Sequence, residues 1–88
     1  MNPNRNHKCP CCENFTLPGD DIFPGSFFIC PVCYWEDDNV QFDDPEFKCG
    51  ANKESLNEAR ENYKAFRASS QRFIKLVRPP NEDEINNV

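Results

Sequence analysis

The stretches Cys9–Glu13, CPCCE, and Ile29–Asp38, ICPVCYWEDD, decide how this chain is read. Cys9 and Cys12 are separated by two residues, as are Cys30 and Cys33, and seventeen residues lie between the pairs. Two CxxC pairs at that interval read as four thiolate ligands to one metal ion. The reason is local: a CxxC turn puts two sulfurs on one side of a tight loop, and the intervening chain returns the second turn opposite the first. Four sulfurs then surround a Zn²⁺ tetrahedrally at about 2.3 Å. Iron in a rubredoxin-like centre uses the same ligands, so Fe is the alternative ion. The proline after the first cysteine of each pair locks its own φ and removes an amide that the turn need not satisfy. Cys11 is left over: with Cys9 and Cys12 fixed, it lies on the turn pointing outward, as a bystander or a candidate reactive thiol. Cys49, sixteen residues past Cys33, reads as an ordinary small apolar side chain or as a disulfide partner for Cys11.

Eighty-eight residues make a single domain with a thin core. Eight Phe, two Tyr and one Trp supply much of its apolar surface. A metal, a disulfide or a partner chain is the usual remedy for so small a core. The opening MNPNRNHK carries no apolar stretch of signal-peptide type, and no run reaches membrane-spanning length. A reducing cytoplasm is therefore expected, where clustered cysteines are metal ligands or catalytic thiols. Net charge is −5, unevenly spread. From Cys9 to Phe47 there are nine Asp and Glu and no Lys or Arg, whereas Lys48–Pro80 holds eight basic residues and three acidic ones. An acidic front half argues against nucleic acid as a partner.

Along the chain, 1–8 is expected to be a loose polar lead-in, 9–80 one zinc-ribbon-like domain and 81–88 an acidic flexible tail. ENFTL and SFFI read as two short strands of one hairpin, with a cysteine knuckle at each end. An extended segment is expected over Asn39–Phe42. The clearest element is a helix over about 55–68. Ser55 caps it, Glu58 completes a capping box, and Leu56, Ala59, Tyr63 and Phe66 form one apolar stripe. QRFIKLV, 71–77, fits a short helix or a strand equally.

Thioredoxin-like redox chemistry wants one CxxC at a helix N-terminus on a βαβ frame, and no such frame is visible. His7 reads as exposed. The acidic run offers Glu36, Asp37, Asp38, Asp43 and Asp44 as a candidate interaction surface for a basic partner, or for the basic residues of the chain's own second half. It lacks EF-hand spacing. Trp35 is expected to pack the ribbon against the helix. No nucleophile–base pair or phosphate-binding glycine loop is present, so no catalytic residue is assigned.

Taken together, CPCC, ICPVCYWEDD, DDPE, GANKESLNEARENY and VRPP resemble the bacterial cysteine-rich CPCC family, from about Cys9 to Glu84. The resemblance implies a shared metal-binding core at Cys9, Cys12, Cys30 and Cys33. It marks Trp35, Glu36, Asp37, Asp38, Gly50, Ala51 and Asn52 as part of the family pattern. It implies no reaction. The expected molecule is thus a small α+β metal-stabilised domain, a zinc-ribbon or rubredoxin-like hairpin with a C-terminal helix. Its expected role is that of a structural zinc protein acting as a protein–protein interaction module, a regulator or toxin-neutralising protein. The alternative is an iron electron-transfer or thiol redox protein.

Overall fold

The computed structural model describes residues 6–19 and 22–86. Each cysteine pair sits on its own short hairpin. In the first, β1 (His7–Lys8) runs antiparallel to β2 (Phe15–Leu17), with Lys8 opposite Phe15 and His7 opposite Leu17. In the second, Ile29 bridges Glu36, closed by Cys30 N–H donating to the Trp35 carbonyl and Asp37 N–H to the Phe28 carbonyl. The registers correspond: the residue before the first cysteine faces the residue six places beyond that cysteine. The single hairpin expected from ENFTL and SFFI is therefore replaced by two. Each knuckle reverses the chain on the spot, so a strand meets its partner at lower loop-closure cost than across PGDDIFPG. This places His7 and Lys8 in a strand rather than in a loose lead-in. His7 stacks on Phe23 with ring centroids 4.8 Å apart. Met1–Arg5 lie outside the described residues.

Helix α1 (Asn39–Asp43) occupies the segment expected to be extended. Asp38 decides the outcome, because its carboxylate accepts from Val40 N–H and Gln41 N–H, two donors that the first turn leaves orphaned. Helix α2 (Leu56–Phe66) starts at the Ser55–Glu58 capping box and ends where Arg67 turns left-handed, at φ 65°. Leu56, Ala59 and Tyr63 are buried along its stripe, and Phe66 is half-buried. A 3₁₀ helix over Gln71–Leu76 settles the ambiguous QRFIKLV. After an extended passage through Pro79–Pro80, Glu82–Asn86 form α3 within the segment expected to be a flexible tail. Arg78 holds α3 by a bidentate pair to Glu84, both contacts 2.8 Å. Asn87 and Val88 lie outside the described residues.

The core lies between the hairpins and α2. Trp35, Leu17, Leu56 and Ala59 are fully buried there beside Cys9, Cys30 and Cys33. The result is a small α+β unit built around its sulfurs.

Candidate metal centre

The two knuckles share one hydrogen-bond pattern. Cys9 N–H donates to the Asn14 carbonyl and Glu13 N–H to the Cys9 carbonyl, both at 2.8 Å. In the second, Cys30 N–H donates to Trp35 at 2.9 Å and Tyr34 N–H to Cys30 at 2.7 Å. Glu13 and Tyr34 close their turns in the left-handed region, at φ 66° and 71°. For side chains bearing a Cβ this conformation costs about 1–2 kcal/mol. Both turns adopt it, which aims each cysteine pair at the other.

The four sulfurs of Cys9, Cys12, Cys30 and Cys33 lie within 4.8 Å of one another. Cys9 Sγ is 3.6 Å from Cys33 Sγ, and Cys12 Sγ is 3.8 Å from Cys30 Sγ. A disulfide would need about 2.05 Å, and all six cysteines are free thiols. Sulfurs bound at about 2.3 Å around a tetrahedral ion stand about 3.8 Å apart. The set therefore fits a four-thiolate metal site.

Electrostatics points the same way. Burial pushes the Cys9 thiol well above the ordinary thiol range. Hydrogen bonding with Cys11 comes first among the causes that push Cys33 up, followed by Cys12 and Cys30. Cys30 moves down, because the Cys12, Cys33 and Cys9 sulfurs and the Thr16 hydroxyl stabilise its thiolate. Four sulfurs this close cannot all ionise unless a cation sits among them.

Thr16, which sequence reasoning missed, is buried with its hydroxyl 3.0 Å from Cys30 Sγ. It belongs to the first hairpin and touches a cysteine of the second. Only the register of β2 reveals this contact, so no local sequence signal marks it. Helix α2 and the chain beyond it brace both knuckles by their carbonyls. Arg60 Nε donates to Pro10, Ser69 N–H to Cys33 and Arg78 N–H to Pro31. Cys12 is the one half-buried member of the four. It borders a cavity of about 650 Å³ lined also by Tyr63, Phe66, Ile74, Val77 and Ile85.

Cys11 does not point outward as expected. It is 4% exposed and packs in the core, which leaves its thiol little access to solvent. Cys49 is exposed, at φ 61°. The two form no disulfide.

The acidic surface divides in two. Asp37 is fully buried, and its Oδ2 accepts from Gly25 N–H, Ser26 N–H and the Ser26 hydroxyl at 3.0, 2.8 and 2.7 Å. Asp38 is 6% exposed, and its second oxygen takes Ala51 N–H at 2.8 Å. These two carboxylates anchor loops and are withdrawn from the expected interaction surface, whereas Asp43 and Asp44 are exposed and Glu36 half-buried. Among the described residues the ion pairs Lys48–Glu58, Lys64–Glu61, Arg72–Glu54 and Arg78–Glu84 all join residues beyond Phe47, and none docks the basic half onto the acidic front.

A buried amide pair lies beneath. Gln41 Nε2 donates to the carbonyls of Phe47, Asn52 and Glu54, and its Oε1 accepts from Asn52 N–H and Nδ2. The Asn52 amide in turn takes both Glu36 N–H and Glu36 C=O, as a neighbouring strand would. Gly50 must be glycine for this packing, because a Cβ there would stand 2.8 Å from Asp38 Oδ2 and 2.9 Å from Gln41 Cδ. The WEDD and GAN motifs are thus two halves of one scaffold behind the second knuckle.

Among the described residues, no helix is long and apolar enough to cross a membrane. Comparison with curated proteins gives no match. The family model for cysteine-rich CPCC proteins matches residues 7–84, and the chain belongs to that family.

Proposed function

We propose that this chain is a structural zinc-binding protein of zinc-ribbon-like build that serves as a protein–protein interaction module in the cytoplasm. The observation that carries the reading is the sulfur geometry: four thiols within 4.8 Å, with pairs at 3.6 and 3.8 Å. Cys9, Cys12, Cys30 and Cys33 would hold the ion. Bound Zn²⁺ supplies charge neutralisation and a cross-link between two hairpins that share little other sheet structure. Four thiolates complete a tetrahedral shell, the arrangement of structural rather than catalytic zinc. Six free thiols suit a reducing compartment.

Elemental analysis of protein expressed in medium with equal zinc and iron tests the metal. The expected result is one zinc per chain and a colourless solution. A coloured preparation with one iron per chain would replace the reading with a rubredoxin-like electron carrier. Fully folded protein holding neither metal would end both.

A further inference from the structure

The outer edge of the second hairpin is unguarded. Phe27, Phe28 and Ile29 are consecutive, and they are 59%, 41% and 40% exposed. Their inner edge pairs with Trp35–Asp37, and the far side of that strand is closed by the Asn52 amide on Glu36. Because Ile29 and Glu36 form the non-hydrogen-bonded type of bridge, the Ile29 N–H and C=O face away from the hairpin. Among the described residues neither finds a partner. Natural sheets blunt such edges with lysine or proline, and 26–29, SFFI, has neither. Backbone strain adds a second observation: Phe27 sits at φ 59°, and Phe27 and Phe28 together oppose Asp37 as a bulge. A bulge re-aims side chains and is a designed feature of sheet edges.

The stretch of chain that forms this edge carries one sign of charge. Glu36 is the cross-strand neighbour of Ile29, and Asp43, the last residue of α1, and Asp44, which follows it, are exposed. Asp37 is buried directly beside the strand, and among the described residues its Oδ1 has no partner. No Lys or Arg occurs from Cys9 to Phe47, and the ion pairs found lie elsewhere. A second copy of a chain with net charge −5 would bring the same acids to this face.

We propose that the Phe28–Cys30 edge accepts an extended segment of a partner protein in which basic and apolar residues alternate. The partner adds as a strand through the Ile29 backbone. Successive side chains of an added strand face opposite sides, so its apolar residues lie along the Phe28 side and its cations on the side shared by Ile29 and its cross-strand neighbour Glu36. This rests on the interaction-module reading above and gives it a surface and a partner chemistry.

The test uses ¹⁵N-labelled, zinc-loaded full-length protein and three blocked octapeptides: alternating Lys–Val, alternating Glu–Val and alternating Lys–Pro. Lys–Val is expected to shift the 27–29 and Glu36 amides saturably and to slow Ile29 amide exchange at least ten-fold. It should bind at least ten-fold tighter than Glu–Val, which reverses the charge, and Lys–Pro, which keeps the charge but loses strand geometry. Ile29→Lys should weaken it at least ten-fold while retaining one zinc per chain. Absence of saturable binding, shifts confined to another face, or equal binding of Lys–Pro would overturn the proposal. So would dimerisation of the free protein through this edge in sedimentation. Zinc content measured on the same samples reports on the metal reading separately. A zinc-loaded protein that ignores all three peptides refutes only the docking edge.

Discussion

Replacing Thr16 with valine keeps its shape but removes the hydroxyl 3.0 Å from Cys30 Sγ. A group that hydrogen-bonds a ligand orients it and steadies its charge, and such partners are worth about 10–100-fold in metal affinity. Thr16→Val is expected to weaken zinc at least about ten-fold in competition with a chromophoric chelator, with the far-ultraviolet spectrum of the loaded protein unchanged. Undiminished affinity would show that the hydroxyl does not act on the metal centre. Gly50→Ala makes the complementary test away from the ligands. Its Cβ would meet Asp38 Oδ2 at 2.8 Å and Gln41 Cδ at 2.9 Å, and both side chains are fixed by hydrogen bonds. The expected cost is about 1–3 kcal/mol in urea denaturation. At this scale spacing alone names Cys9, Cys12, Cys30 and Cys33. It does not name Thr16, and it misreads Asp37, Asp38 and Cys11. An acidic run reads as solvated surface, and only the tertiary return of Gly25, Ser26 and Ala51 supplies the donors that let two of its carboxylates be buried.

Local signals specify α2 well because everything it needs lies within its own sequence: a capping box at Ser55 and Glu58, and a stripe at helical spacing. Helix α1 was not legible, because five residues carry no periodicity and its cap, Asp38, sits inside a run of acids. The pairing of the hairpins was missed for a related reason: strand patterns of two or three residues do not say which neighbour they choose. Asp38 offers a test at this scale. One oxygen caps α1 and the other holds Ala51 N–H, so Asp38→Asn keeps a cap but turns an amide donor toward a donor. A loss of about 1–3 kcal/mol is expected. Although burial opposes it, hydrogen bonding from Ala51, Gln41 and Val40 leaves the Asp38 pKa below its ordinary value. A depressed folded pKa gives stability that is complete above the unfolded pKa, about 3.9, and is lost as pH falls through the folded value. The gap between wild type and Asp38→Asn should therefore stay constant from pH 8 to 5. A gap that narrowed over that range would contradict the depressed pKa.

The whole molecule has little besides the centre to unite its parts. Among the described residues the strands are two and three residues long, and the longest helix is eleven residues. Isolated helices of that length are marginal in water, and a lone two-stranded hairpin is no better. Fully buried Cys9, Cys30 and Cys33 stand within the cluster that packs Trp35 and Leu56. Without a cation, the raised Cys9 and Cys33 thiols hold protons and the two hairpins lose their cross-link. Structural zinc contributes about 10–16 kcal/mol at neutral pH in small domains, as large as the roughly 5–15 kcal/mol stability of an entire ordinary domain. Chelation should therefore abolish the cooperative urea transition and the near-ultraviolet signal of Trp35, and both should return on adding one equivalent of zinc. Cys30→Ser should behave as the stripped protein does at any zinc concentration that saturates wild type. Cys49→Ser should retain one zinc per chain and a near wild-type urea midpoint, since that thiol is exposed and outside the cluster. Folding that survives chelation, or a Cys30→Ser protein that keeps both its metal and its urea transition, would show that the sulfurs are packing groups and the hairpins stand without an ion.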